Sequence, residues 1–270
     1  MSIITISRGS YSMGKAVAEQ VAKKLNFDLS SRDILLDASR KYNVPEIKLI
    51  NAIRDPPKII ERYSHNKQSY IAYIQSALVE RVLNDNIVYH GLAGHLLLRG
   101  IPHVLKVRIT ENLDDRVRNR VSLDKITAEE ARVLTLKDDQ QRRKWTMFLF
   151  GEDPWNSALY DLTISIDRLS IDDAVDFICQ ASRSRALQTT EAGQQQLLDL
   201  AVACRVKAAL VDDFPTLNVT CEYGNVLVYP RGKDTASKKL LKKLDQIRKD
   251  ISGINHLETH SGVKTPEKAV

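Results

Sequence analysis

The stretch ITISRGSYSMGKAVAEQVAKKL, Ile4 to Leu25, changes character at its middle. Ile3–Ser7 reads as a short apolar strand, and Gly14–Leu25 puts Val17, Val21 and Leu25 on one helical face with Ala18 and Ala22 beside them. Between them, Gly9-Ser10-Tyr11-Ser12-Met13-Gly14-Lys15 satisfies the G-x-x-x-x-G-K spacing in the strand-to-helix context a phosphate-binding loop requires. Backbone N–H groups at a helix N-terminus point at a bound anion, and the lysine neutralises charge on its outer phosphates. Ala16 and Val17 follow the lysine, so the hydroxyl that normally ligands Mg²⁺ is missing, and the metal would rely on phosphate oxygens and water. Tyr11 and Met13 stand where glycine eases close approach and are expected to narrow the loop. An ordinary strand-to-helix turn carrying a lysine has the same local sequence.

Working outward, 270 residues accommodate one sizeable α/β domain and a small second one. Hydrophobic residues at 43% and charged residues at 27% argue against wholesale disorder. A net charge of +6 favours anionic partners without singling out nucleic acid. Cys179, Cys204 and Cys221 form no C-x-x-C pair, so neither a zinc knuckle nor a disulfide framework is expected. With no leader-like apolar run and no window of spanning length, the chain reads as soluble and cytoplasmic.

Further helices are expected at Arg32–Tyr42, Tyr70–Leu83, through Leu96–Leu98, and at Leu113–Val121, with a polar stretch carrying Pro56-Pro57 after the first. Ile87–Tyr89, Val104–Ile109 and Leu162–Ile166 read as strands. Thr127-Ala128-Glu129-Glu130 has the form of a capping box, and Ser170–Gln180 closes the unit. Strands alternating with helices imply a parallel, doubly wound α/β sheet whose ligands sit beyond the strands' carboxyl ends. Residues 183–192 read as a linker. A second, α+β unit spans 193–262: a helix at Leu197–Val211, strands at Asn218–Tyr223 and Val226–Tyr229, a helix at Lys238–Ile251 and a short strand at Asn255–Thr259. Residues 263–270 read as a disordered tail.

Residues 1–182 resemble the cytidylate kinase-like family of P-loop nucleoside monophosphate kinases. The resemblance rests on ITISRGSYSMGKAVAE, SSRDIL from Ser30, VLKVRITENLDDRVRNRV from Val104, ITAEEARVLTLKDDQQRRKW from Ile126 and LYDLTISIDRLSIDDAVDFI from Leu159. It implies a core sheet with the P-loop, a helical insert binding the nucleoside monophosphate, and a mobile lid. The implied reaction moves the γ-phosphoryl of ATP onto CMP or dCMP with Mg²⁺. Carried over by position, Gly9, Ser10, Tyr11, Ser12, Met13, Gly14, Lys15 and Ala16 would line the ATP phosphates. Ser31, Arg32, Asp33 and His90 would serve the monophosphate. Asp139, Arg142 and Arg143 belong to the lid, and Lys15, Arg116 and Arg142 would stabilise the transferring group, since phosphoryl transfer depends on cations around a spreading negative charge.

Several positions depart from the family pattern. Tyr89-His90-Gly91 stands where relatives often carry Gly-Arg, exchanging a permanent cation for a group that titrates near neutrality. Ser31 replaces an aspartate, Met147 a lysine, and no aspartate ends Ile87–Tyr89. His90 and His95 lack the neighbouring Cys or carboxylate spacing of a metal site, and no metal-ligand set is expected. These changes leave open a catalytically degenerate nucleotide sensor. The segment LLDLAVACRVKAALVDDFPTLNVTCEYGNVLVYPRG, from Leu197, with GINHLE from Gly253, resembles a BON domain, which implies a protein partner or an anionic membrane surface. Lys233 to Asp250 holds seven Lys/Arg against three Asp, an excess of four positive charges. Without interleaved aromatics, specific nucleic-acid binding is not expected.

Overall fold

The computed structural model describes residues 2–54, 65–231, 237–261, 265–266 and 269–270. The expected Pro56-Pro57 stretch lies outside the described residues. β1 (Ile3–Arg8) is followed by α1 (Gly14–Leu25), β2 (Asp28–Ser30), α2 (Asp33–Tyr42), α3 (Glu46–Arg54), α4 (His65–Arg81), β3 (Ile87–Tyr89) and α5 (Gly94–Leu97). Then come β4 (Val104–Thr110), α6 (Leu113–Asp124), α7 (Ala128–Phe150), β5 (Leu162–Ser165) and α8 (Ile171–Ser182). The five strands form one sheet in the order β2-β3-β1-β4-β5, every neighbouring pair parallel. Ile4 lies between Val88 and Leu105. A central strand covered on both faces must be apolar on both, and Ile3, Ile4 and Ile6 are all buried.

One face packs Ile4 and Ile6 against Val17 and Val21 of α1 and Ile178 of α8. On the other, Ile3 joins α2, α4 and α5. With β3 on one side of β1 and β4 on the other, chain order reverses at β1, so the loop after Arg8 sits at the crevice where such sheets bind ligands. Thr127 accepts from the Glu130 N–H at the start of α7, but the reciprocal capping box forms at Ser170 and Asp173, heading α8.

The chain continues with α9 (Glu191–Leu210), β6 (Asn218–Glu222), β7 (Asn225–Tyr229), α10 (Lys238–Asp250) and β8 (His256–Thr259). β6 and β7 are an antiparallel hairpin, and β8 adds in parallel to β7. The hairpin turns through Tyr223 and Gly224 at φ 49° and 74°, the conformation a two-residue turn requires. Asp199 of α9 accepts both turn amides, at 2.9 and 3.0 Å. The stretch read as a linker holds a 3₁₀ turn at Arg185–Leu187, and α9 begins six residues before the expected Leu197. α9 is a shared wall. Leu197, Ala201, Cys204, Ala208 and Val211 belong to the core that includes α4, while Val202, Ala203, Val206 and Leu210 belong to the core of the second unit. At the chain's end, where a disordered tail is expected, Val270 exchanges two backbone hydrogen bonds with Val219. Among the described residues, no helix is long and apolar enough to cross a membrane.

Candidate nucleotide site

The loop from Arg8 to Met13 is held by its carbonyls. Arg142 Nη1 donates to Arg8 O at 3.1 Å, Ser12 Oγ to Gly9 O at 3.1 Å, Arg116 Nε to Ser10 O at 2.8 Å and Asn119 Nδ2 to Tyr11 O at 3.0 Å. Three of these donors come from α6, the basic helix, and α7, the helix read as the lid, both of which lie against the loop. Among the described residues, the N–H groups of Ser10, Tyr11 and Ser12 meet no backbone acceptor. Carbonyls drawn outward with free amides between them are the arrangement of an anion-binding nest.

The loop's two glycines serve arginines. A Cβ on Gly9 would lie 3.1 Å from Arg116 Cζ, and one on Gly14 would lie 2.7 Å from Arg8 Cβ. Tyr11 does not narrow the loop. It adopts φ 56°, its hydroxyl donates to Asp124 at 2.7 Å, and the Arg120 guanidinium lies 4.4 Å from its ring centroid. The backbone strain of that left-handed residue is offset by contacts that carry the ring onto α6. Met13 is exposed, and its N–H donates to Glu111 at 2.8 Å, so one amide at the head of α1 already faces a carboxylate.

The arginines divide into two groups. Arg116 is buried and grips Asp139 through Nη2, at 2.8 and 2.7 Å to its two oxygens, so both expected residues sit beside the loop but are committed to each other. Arg120 pairs with Asp138. Arg143 turns away from the loop to Asp153 and stacks on Trp155, 4.3 Å from its ring centroid. Lys15 points along α1 to Glu19 at 3.4 Å. Asp33 is occupied by Ser30 Oγ, the Ser31 N–H and Arg81; burial pushes its carboxyl up, but those bonds together hold it below the usual range. Arg32, at the head of α2, is exposed.

Arg8 differs from all of these. Its Nε is shielded from solvent without a hydrogen-bond partner among the described residues; burial, then the charges of Arg142 and Arg32, lower its pKa. His90 is buried with Nδ1 equally without a partner, and burial followed by the charge of Arg8 keeps its imidazole below the ordinary range. Arg8, Arg32, Arg142, His90 and Lys15 thus converge on the carboxyl end of β1. Sequence reasoning missed Arg8 because a lone arginine closing a strand reads as its solvated end; the one available signal is a permanent cation directly before the loop's first glycine.

A second histidine lies on the opposite face of β1. His95 Nδ1 is 3.0 Å from Ser7 Oγ and its ring lies tilted against Tyr160, while burial, then Lys106, Arg108 and Arg99, push its pKa down to about 3. His95 and His90 are therefore neutral in the folded chain where an unfolded histidine, near 6.5, takes a proton. Below that value the unfolded state binds more protons, so stability falls as pH drops, by up to about 1.4 kcal/mol per pH unit for each such group. The melting temperature is expected to decline between about pH 7 and 5, before carboxylates titrate, and His95→Gln to flatten the slope. A flat profile for the unaltered chain would contradict the burial described.

A parallel sheet ordered 2-3-1-4-5, with a glycine-lysine loop after its central strand and two helices closed over that loop, defines the P-loop nucleoside monophosphate kinase class. Residues 3–168 match the Cytidylate kinase-like family, and the chain belongs to it. A cytidylate kinase from Pyrobaculum islandicum is 26% identical over 185 residues, covering 66% of this chain and 94% of its own. The crystal structure of an uncharacterized protein from Eubacterium ventriosum superposes with a TM-score of 0.52 at 22% identity, covering 68% of this chain and 99% of its own, a likeness of fold. The family match supports nucleotide binding in general. For a protein-held metal the residues do not fit: Ala16 replaces the hydroxyl, and no group of three His, Cys, Asp or Glu among the described residues is placed to hold an ion.

Proposed function

We propose that the protein transfers the γ-phosphoryl of ATP to a nucleoside monophosphate, CMP or dCMP. A phosphate oxygen of the acceptor attacks the γ-phosphorus, the bond to the β-phosphate oxygen breaks, and ADP leaves with that electron pair. The observation that carries this reading is the convergence of Arg8, Arg32, Arg142 and His90, without carboxylate partners among the described residues for the first two, beside amides freed by tying up the loop's carbonyls. Such preorganised donors act by orienting both phosphates and balancing the charge that spreads in transfer. Mg²⁺ entering with ATP would keep phosphate and water ligands, and the chain's own part is positioning. A coupled ADP-release screen over CMP, dCMP, UMP, AMP and GMP tests it. CMP- or dCMP-dependent release is expected, reduced about 100-fold or more by Lys15→Ala. Tight nucleotide binding without release under any acceptor would overturn the kinase reading.

That outcome would favour a degenerate sensor signalling through the C-terminal unit, a reading supported by the shared helix α9. We read this unit as BON-like, with the exposed Lys238, Leu241, Lys242 and Lys249 of α10 facing an anionic membrane or acidic partner. Lys239 and Lys243 are held by Asp213. Flotation of the full chain with phosphatidylserine vesicles, absent with neutral ones, is the supporting result; no flotation removes the membrane version.

A further inference from the structure

We infer that Arg8 is the fixed cation of the phosphoryl-transfer site, supplying charge at the loop where this chain lacks the metal-binding hydroxyl. The inference deepens the kinase reading and rests on it for the identity of the anion.

Most of the cations around the loop have an evident carboxylate. Arg116 holds Asp139, Arg120 holds Asp138, Arg143 holds Asp153 and Lys15 reaches Glu19. Arg8 has no such partner among the described residues, and its strongest charged neighbours, Arg142 and Arg32, are cations. A guanidinium cannot shed its proton to escape this, so an unpaired, shielded one is a standing destabilisation of the empty protein. Its Nε is shielded from solvent while the residue as a whole is half-buried, so water relieves the charge only in part. An anionic ligand between Arg8, Arg142 and His90 would satisfy all three at once.

Packing, not an ion pair, holds the side chain. The stem lies on the Cα of Gly14, so that a Cβ there would meet Arg8 Cβ at 2.7 Å and Cδ at 3.0 Å. This keeps the guanidinium next to the head of α1, where the loop amides and helix dipole also favour negative charge. His90, 8% exposed, brings an unpartnered Nδ1 to the same place, with Arg8 and Lys15 among the charges it feels. A planar fork suits a phosphate that a point charge would grip less specifically. The ligand class is therefore a polyphosphate, held by arginine where related loops rely on a hydroxyl and its metal.

The test uses the full-length protein and Arg8→Gln, with ATP and with inorganic pyrophosphate in EDTA, by calorimetry, alongside ADP release and thermal melting of the empty forms. Arg8→Gln is expected to weaken both anions about 10- to 100-fold without metal. It is also expected to melt at or above the unaltered protein's temperature, because an unpaired, half-buried charge has been removed. Arg8→Lys should fall between the two in affinity and carries the test should Arg8→Gln fail to fold. Affinities within about threefold of the unaltered protein's in the folded variant would overturn the assignment. If the unaltered protein binds ATP without turnover and Arg8→Gln loses that binding, the kinase reading fails while Arg8 stands. If turnover and metal-free affinity both survive Arg8→Gln, Arg8 fails while the kinase reading stands.

Discussion

Arg116→Met is expected to destabilise the protein by about 3–5 kcal/mol and to remove its thermal stabilisation by ATP, whereas adding Asp139→Leu restores most of the stability and none of the ATP response. The single change leaves the Asp139 carboxylate, 17% exposed at its side chain, without its partner and strips Ser10 O of its donor. Breaking a buried pair from one side carries the full penalty of the stranded charge; removing both ends does not. Gly9, which approaches the guanidinium so closely that a Cβ would come within 3.1 Å, would face a gap, and the loop would lose the contact that draws its backbone toward α6. Urea denaturation of the four proteins of the double-mutant cycle measures the coupling directly. A loss under about 1 kcal/mol for Arg116→Met would show that the pair is solvated and that α6 and α7 do not brace the loop.

The same residues show how far the sequence reaches. The strand-loop-helix unit was legible because its period changes from buried strand to helix inside twelve or so residues and the glycine spacing marks the joint. β2 was not. It is three residues long, lies at the sheet edge, and exposes Asp28 and Leu29, so no apolar run announces it. α3 escaped because a nine-residue helix next to Pro45 offers too little periodicity. At the site, Arg116 was named from the basic helix and Asp139 and Arg142 from the lid pattern, and all three lie by the loop, yet neither pattern says that the first two spend their charge on each other. Arg143 shares α7 with Asp139 and Arg142, but its neighbour across the turn is Asp153, a fact that depends on the path of the chain after Phe150. Arg8 is the sharpest case. Its importance lies in what is missing around it, and an absent counterion has no signature in one dimension.

The second large effect concerns α9. A tethered C-terminal unit would leave the kinase-like fold intact on removal, so a fragment ending at residue 190 would melt within a few degrees of the full chain. The opposite is expected: a single cooperative transition for the full chain, and a fragment that aggregates or melts at least about 10 °C lower. A helix with apolar residues on two faces must be covered on both, which is why α9 lacks the one-sided pattern of a surface helix. Leu197 and Val211 are fully buried in the α4 core, Val206 and Leu210 fully buried in the other. Polar contacts fix the same seam: Tyr73 donates to Asp212 at 2.7 Å and Gln194 to Leu83 O at 2.9 Å. Leu197→Ala alone should cost about 2–5 kcal/mol, and deleting the helix removes several such side chains at once while exposing their partners. Two separate calorimetric transitions in the full chain would sink this account, because they would mean that the α4 face holds together without its cover.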